Sequence, residues 1–497
     1  MNEQRPQRII IIGFGPVAAS LVEGLLPATA AGHCAITIIS AEDHLAYNRV
    51  LLAELAAGAA EFEHLGMVDP QRLADAGVDV RLGVQATGID RSRRRIHLGG
   101  NDYVSYDRLV FATGARAVIP TLNGLNFDPH ADASLPAGVF ALRTVDDAHQ
   151  LRKSIDLGQR ILILGGGVLG IEAALAIART GAQPVLVHHG PAPLGRVVDA
   201  DGGALLTRNL REAGVEVIPG AKASGIQKDA QGFTGLMTST HGLIQADALL
   251  ISTGVRARTE LASGCGLPVG RGIKTDEFLC ADTEQRIFAV GDCAEVAGQP
   301  PVGLLAPGWA QAAWLSQQLL RLTGSGASDP FVAPDFSASD VLMFKGQGIE
   351  LTAAGDISAG YWDDTDLQAT IYADPARGRY LKIVTRQDTV TGFLAMGLPQ
   401  TSAELVLAYE RATALPEDRS NLLRLDDPAT DQIAAIPSDD DQLCRCSGAT
   451  YGQVAHAVGA GCTTVAEVGE NCRAGTGCGG CKAKIEELLA KAPALAQ

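Results

Sequence analysis

Aromatic residues are scarce in this 497-residue chain, at 5%, within the composition of a soluble globular protein rich in alanine and glycine. Basic residues are also in deficit. Forty Lys and Arg stand against 56 Asp and Glu, a formal charge of −16, which disfavours a polyanion-binding role and so argues against nucleic acid as a partner. Uninterrupted apolar runs are missing as well. The stretch from Ile161 to Ala178 contains Gly165, Gly166, Gly167, Gly170 and Glu172, the wrong content for a membrane span. The start, Met1 to Ser20, has the outline of a signal peptide, but glycines punctuate its apolar run. These absences predict a cytoplasmic protein with no membrane association. The length suffices for three or four domains, each with its own core.

Cysteine is unevenly spread. Six of the ten lie in a short C-terminal module, with Cys444 and Cys446 in C-R-C and Cys478 and Cys481 in C-G-G-C. Four thiolates converging from two short loops suit either zinc or an iron–sulfur cluster. A disulfide framework is disfavoured in a chain that otherwise reads as a large cytosolic nucleotide-binding enzyme. Structural zinc sites generally pair ligands two to four residues apart, and C-x-C is tighter than that. Helices are predicted at Tyr451–Val458 after Thr450, at Val465–Gly469 after Thr464, and from about Lys482 to Lys491. The cysteine loops then abut helix starts, whose unpaired N–H groups favour an anionic cluster. Cys462 and Cys472 read as small buried hydrophobes, and Arg445, Arg473 and Lys482 as solvated charges flanking the ligands.

Two glycine-rich turns mark nucleotide sites. Arg8-Ile-Ile-Ile-Ile-Gly13-Phe-Gly15-Pro-Val-Ala18 is an apolar strand, then G-x-G-x-x-A, then a helix to about Leu26. Arg160-Ile-Leu-Ile-Leu-Gly165-Gly-Gly167-Val-Leu-Gly170-Ile-Glu172 repeats the design, its helix ending near Arg179. Each is followed by a further strand, Ala35–Ser40 and Gln183–His188. A lone glycine turn is weak evidence, but strand–turn–helix–strand is the context a dinucleotide fingerprint requires, because the glycines admit a pyrophosphate to backbone N–H groups. Two units point to two dinucleotides. After the second of those strands stand His188 and His189, with neither an acid for NAD nor an obvious arginine for a 2′-phosphate, so NADH and NADPH both stay open.

Other segments complete a known order. Tyr106 to Ala115 and Ala246 to Gly254 are strands running into Thr113-Gly114 and Thr253-Gly254, and Ile287-Phe-Ala-Val-Gly291-Asp292 is a strand ending in Gly-Asp. As an ordered set over residues 7 to 320 they resemble the two-dinucleotide-binding flavoprotein reductases, with an FAD domain interrupted by an NAD(P) domain. The resemblance implies an α/β fold with two Rossmann-like domains of the flavoprotein disulfide-reductase type, a small α+β interface domain and a small helical 2Fe–2S domain. It sets FAD-binding parts at 1–120 and 248–322, NAD(P) binding at 121–247, the interface domain at 331–410, an acidic linker at 411–441 and the cluster domain at 442–492. It places Gly13, Gly15 and Ala18 on the FAD pyrophosphate, Gly291 and Asp292 on its ribityl–phosphate side, Ala112, Thr113 and Gly114 at its edge, and Gly165, Gly167 and Gly170 on the NAD(P)H pyrophosphate. Glu42 is the acid closest to the position that takes the adenosine ribose of FAD.

Disulfide reductases of this fold carry a redox cysteine in their first sixty residues, where this chain has only Cys34, at the approach to a buried strand. Instead Ala46-Tyr47-Asn-Arg49-Val-Leu-Leu52 resembles the Y-x-R-x-x-L segment beside the flavin in the diaphorase half of assimilatory nitrite reductases and in ferredoxin-type reductases. That implies catalytic-site roles for Tyr47 and Arg49, and for Glu172 near the nicotinamide; a lysine of several ferredoxin reductases falls at Glu54 here. The tail from Cys444 to Leu489 resembles bacterioferritin-associated-ferredoxin-like 2Fe–2S domains, whose C-x-C and C-x-x-C pairs imply the ligands Cys444, Cys446, Cys478 and Cys481.

The domain order resembles the N-terminal half of the large assimilatory nitrite reductase subunit and the electron-transfer subunit of bacterial assimilatory nitrate reductases. A sirohaem site needs C-x5-C followed by C-x3-C; Cys472 and Cys478 have the first spacing and no C-x3-C follows. The resemblance therefore implies an FAD-dependent NAD(P)H oxidoreductase that delivers electrons to another polypeptide, the molybdenum subunit of a nitrate reductase or another redox protein. The alternative is a free-standing NAD(P)H:ferredoxin or rubredoxin reductase.

Overall fold

The four-isoleucine run in Gln7–Ile12 is buried on both faces, which only a parallel strand covered by helices on each side can be. The structure, a computed structural model, describes residues 5–100, 102–125, 134–324, 336, 341–363, 366–426, 438–444, 447–477 and 479–495. Gln7–Ile12 is the central strand of a five-stranded parallel sheet ordered Ile287–Ala289, Arg108–Phe111, Gln7–Ile12, Cys34–Ile39, Asp79–Arg81. Its crossover helix, Pro16–Ala30, continues through Pro27 beyond the predicted end at Leu26 and packs against the long helix Leu305–Leu322. The mismatch is one of local rule against tertiary packing: Ala28 and Thr29 are buried, and that holds the last turn despite a proline without a donor.

A second five-stranded parallel sheet has the order Glu216–Ile218, Val185–Val187, Ile161–Leu164, Ala248–Ile251, Val139–Phe140. The strand Ala248–Ile251 pairs with Ile161–Leu164, so this sheet runs past residue 247, where the boundary was expected. The apolar Ala-Leu-Leu-Ile strand is wholly buried, Ala248 and Leu250 in one apolar cluster with Ile161 and Ile163, and Leu249 and Ile251 in another with Leu162 and Leu164. The two units are joined by a two-stranded antiparallel ribbon, Ala115–Ala117 with Val255–Ala257. The chain leaves the first unit along one strand of the ribbon and re-enters along the other, to finish the first sheet with Ile287–Ala289.

A third, antiparallel sheet has the order Leu342–Gly346, Ile349–Gly355, Thr389–Met396, Arg379–Arg386, Leu367–Asp374, with the helix Pro399–Arg411 against it. The expected linker begins as packed structure: Leu422 is buried, and the Asp426 carboxylate accepts from Gln400 N, Thr401 N and Thr401 Oγ1. The remainder of that linker at 427–437, and most of the glycine- and serine-rich stretch at 323–330, lie outside the described residues.

The C-terminal module packs three helices, Tyr451–Gly459, Val465–Cys472 and Lys482–Leu495, around Val454, Val468 and Ile485. Capping boxes start the first two, Thr450 with Gln453 and Thr464 with Glu467. Among the described residues no helix is long and apolar enough to cross a membrane.

Candidate functional site

The two glycine turns are built alike. Gly13 has φ +97°, and a Cβ there would stand 2.3 Å from the Ala112 carbonyl oxygen; Gly165 has φ +128°, and its Cβ would stand 2.0 Å from Ser252 O. At the third position, a Cβ on Gly170 would meet Gly165 O at 2.1 Å, while the first turn accepts the fully buried Ala18. Gly15 and Gly167 are the N-caps of 15- and 12-residue helices and offer no side chain to the first N–H groups. Around Gly167 no heavy atom lies within 4 Å of a Cβ position; around Gly15 only Arg49 Nε does, at 3.8 Å. Both turns therefore fit a dinucleotide pyrophosphate: tight where strand and turn meet, open where the helix N-terminus presents its donors.

A polar network spans the first turn. Tyr47 Oη donates to Glu42 Oε2 at 2.7 Å, and Arg49 pairs with Glu42 Oε1 at 2.5 Å. Arg49 also donates to Tyr47 Oη at 3.1 Å and to the Arg143 carbonyl at 3.0 Å. Burial, countered by Arg49 and reinforced by Glu42, holds the Tyr47 phenol far above its usual range, so it stays protonated and donating. Glu42, expected on a ribose, accepts from both Tyr47 and Arg49 here. Arg143 itself donates to Asp292 Oδ2 at 2.9 Å and to Ala115 O at 3.1 Å, and joins Asp292 to the loop of Arg49.

Thr113 Oγ1 donates to Arg258 O, Gly114 takes φ +65°, and the Gly291 N–H donates to Gln311 Oε1 at 2.8 Å. Near the start of Leu305–Leu322 the buried Trp309 indole N–H has no partner among the described residues. Sequence reasoning missed Arg143 and Trp309. The only signal for Arg143 was its place directly before the Thr144 capping box.

Arg49, expected at the flavin, and Glu172, expected at the nicotinamide, line one small cleft of about 40 Å³. Val50, Leu169 of the second fingerprint helix, Ser252 and Gly254 also line it. Leu169 is half-exposed there despite its size. At the end of Val185–Val187, His188 is buried with Nε2 unpartnered among the described residues, and burial pushes its imidazole below the ordinary histidine range; His189 and Arg196 are exposed.

In the C-terminal module Cys444 and Cys481 are buried and adjacent. The Gly475 N–H donates to Cys481 Sγ at 3.1 Å, and a hydrogen bond from Cys481, helped by Ser447, pulls the Cys444 thiol down to about 5. Cys444 is held in a tight loop by its N–H to Ala449 O and by Gly448 N to its carbonyl, both 2.8 Å. Cys446 and Cys478, with Arg445, lie outside the described residues. Two buried, adjacent thiols, with the Cys444 pKa lowered and a backbone N–H aimed at the Cys481 sulfur, fit a thiolate-held cluster. Cys462 and Cys472 are half-buried against the module core. Arg473 is not a free solvated charge; it pairs with Glu23 of the first fingerprint helix.

Residues 7–314 match the family model described as pyridine nucleotide-disulphide oxidoreductase. The chain belongs to this family. Residues 442–491 match the BFD-like [2Fe-2S] binding domain, so the cofactors are FAD, a 2Fe–2S cluster and the substrate NAD(P)H. The chain is 28% identical over 490 residues to the nitrite reductase (NADH) large subunit of Escherichia coli K12, covering 97% of this chain and 55% of that protein. It is 26% identical over 495 residues to the assimilatory nitrate reductase electron transfer subunit of Bacillus subtilis, covering 98% of this chain and 60% of that one. It spans little more than half the length of these curated relatives. Its fold is that of the covalent putidaredoxin reductase–putidaredoxin complex, with a TM-score of 0.68 and 23% identity over 85% of this chain and 98% of that chain.

Proposed function

We propose that this oxidoreductase takes electrons from NAD(P)H and passes them to a separate catalytic subunit, that of an assimilatory nitrate reductase. The observation that carries the reading is the shared cleft: Arg49 beside the first glycine turn and Glu172 on the helix of the second face one space, in a chain that also carries a cluster module. The likeness over 98% of the chain to a nitrate reductase electron transfer subunit supports the choice of acceptor.

When bound, the flavin accepts a hydride from NAD(P)H and the cluster accepts electrons one at a time. The chain's residues bind and orient. The helix starts at Gly15 and Gly167 hold the two pyrophosphates, and Glu42 and Tyr47 fix the Arg49 guanidinium against the first of them. Arg143 holds Asp292, which would face the ribityl–phosphate side, while Thr113 and Gly114 would border the flavin and Glu172 the nicotinamide. Cys444, Cys446, Cys478 and Cys481 hold the cluster. With a cluster held there, NAD(P)H would give up two electrons and one proton to become NAD(P)+, and the electrons would leave singly to the partner.

The test is reconstitution. NAD(P)H-dependent nitrite formation from nitrate is expected only when a molybdenum nitrate reductase subunit is added. Nitrate reduction by this chain alone contradicts the proposal. Efficient turnover with a rubredoxin or ferredoxin, and none with the nitrate reductase subunit, makes it a free-standing reductase of those proteins.

A further inference from the structure

Asn48 stands between Tyr47 and Arg49 and is only 4% exposed, unusual for a loop amide. Its two ends do different work. Oδ1 accepts from Val50 N at 3.1 Å and so caps the short turn Arg49–Leu51. Nδ2 points the other way: it donates to the Thr476 carbonyl and lies 3.5 Å from that of Gly477. Those two carbonyls belong to the residues immediately before Cys478. A second contact fastens the same loop. Arg473, which ends the helix Val465–Cys472 in the left-handed conformation at φ +61°, pairs with Glu23 on the helix Pro16–Ala30. Burial lowers the guanidinium's pKa.

We infer that Asn48 and the Glu23–Arg473 pair form an intramolecular dock that seats the cluster-ligating loop on the flavin loop and so positions the first electron exit. The inference rests on the reading that the C-terminal module carries the cluster. The geometry is economical: one side chain caps the loop bearing Arg49 with its oxygen and grips the loop leading to Cys478 with its nitrogen. The position of one loop therefore follows that of the other. Asn48 is a positioning residue and touches no reacting atom. The ion pair lies on a different element, so the module is held at two points and cannot swivel about either.

The chemistry of the amide supplies a clean variant. Asp at position 48 keeps the capping oxygen, since Asp and Asn cap equally well, but sets a carboxylate against two carbonyl oxygens. Asn48→Asp should therefore fold, cap Arg49–Leu51 and retain FAD while losing the dock. A second variant, Glu23→Gln, removes the charge partner of Arg473 and leaves the flavin loop untouched.

The experiment is hydrogen exchange by mass spectrometry on the full-length, cofactor-loaded protein, paired with anaerobic rapid mixing against NADH or NADPH. Losing this hydrogen bond, with a repulsion in its place, should shift the docked population by about tenfold. Faster exchange is expected in the peptides spanning 45–52 and 473–477 in Asn48→Asp, with flavin reduction at the wild-type rate and cluster reduction slowed about tenfold. Glu23→Gln should speed exchange in 473–477 and slow cluster reduction in the same direction. Unchanged exchange in 473–477 in both variants, with cluster reduction at the wild-type rate, overturns the dock. A wild-type protein that lacks a cluster yet gains exchange in these segments on mutation supports the dock and sinks the cluster reading instead.

Discussion

Gly167→Ala separates the use of a glycine for binding from its use for folding. Gly167 has φ −82° and ψ 178°, extended backbone open to any residue, and a Cβ there meets no atom within 4 Å. Alanine should therefore fold as well as glycine, and the unfolded chain loses freedom, a gain of about 0.4–1 kcal/mol. The added methyl nonetheless projects at the start of the helix, where a pyrophosphate must approach the N–H groups. Losing one charge-assisted hydrogen bond costs about 1.5–3 kcal/mol, which at about 1.4 kcal/mol per decade is a rise in KM for NAD(P)H of roughly 10- to 150-fold. The assay is NAD(P)H–ferricyanide diaphorase kinetics, alongside FAD content and thermal unfolding. FAD should stay at wild-type occupancy and Tm should not fall. Gly165→Ala is the contrast: its Cβ would lie 2.0 Å from Ser252 O at φ +128°, so that variant should lose stability before it loses coenzyme. An unchanged KM in a folded Gly167→Ala protein refutes the second turn as the coenzyme site, and loss of FAD instead of coenzyme affinity means the two turns have been assigned the wrong way round.

Two further outcomes follow from the same geometry. Cys481→Ser should abolish electron delivery to a protein acceptor while ferricyanide reduction largely survives; loss of both in a folded, FAD-loaded protein contradicts a modular exit. His188 is buried with its imidazole pKa pushed down, so the folded state resists a proton that the unfolded chain accepts below about 6.5. Stability should therefore fall as pH drops through that value, and His188→Gln should flatten the decline in urea midpoint between about pH 7.5 and 5.5; an identical decline in both proteins assigns it to other groups.

The parts of the fold that local chemistry dictates were legible in the sequence. Gly13 and Gly165 announce themselves because each ends an apolar strand and opens a helix, and no other residue tolerates a carbonyl at 2.3 or 2.0 Å from its Cβ position. The capping threonines of the C-terminal helices were legible for a similar reason, one hydroxyl followed three residues on by Gln453 or Glu467. Features made by distant packing were not. Ala248–Ile251 is an apolar strand that fits either parallel sheet by its own residues, and only its pairing with Ile161–Leu164 decides. Leu367–Asp374 carries mixed small and polar residues, and forms as the edge partner of Arg379–Arg386. Within the site, Tyr47, Arg49 and Glu172 were named through family likeness, whereas Arg143 reads as one arginine among many until Asp292, 149 residues on, is beside it. Asn48 is the extreme case: its partner carbonyl at Thr476 is 428 residues away.

The central claim is an electron path from NAD(P)H through the flavin to the cluster, and anaerobic rapid mixing of the purified protein with NAD(P)H tests it most directly. Flavin bleaching should come first, followed by the paramagnetic signal of a reduced 2Fe–2S cluster, in a protein that carries about one FAD, two irons and two acid-labile sulfides per chain. Zinc without labile sulfide, or a cluster that stays oxidised while the flavin is fully reduced, would contradict it.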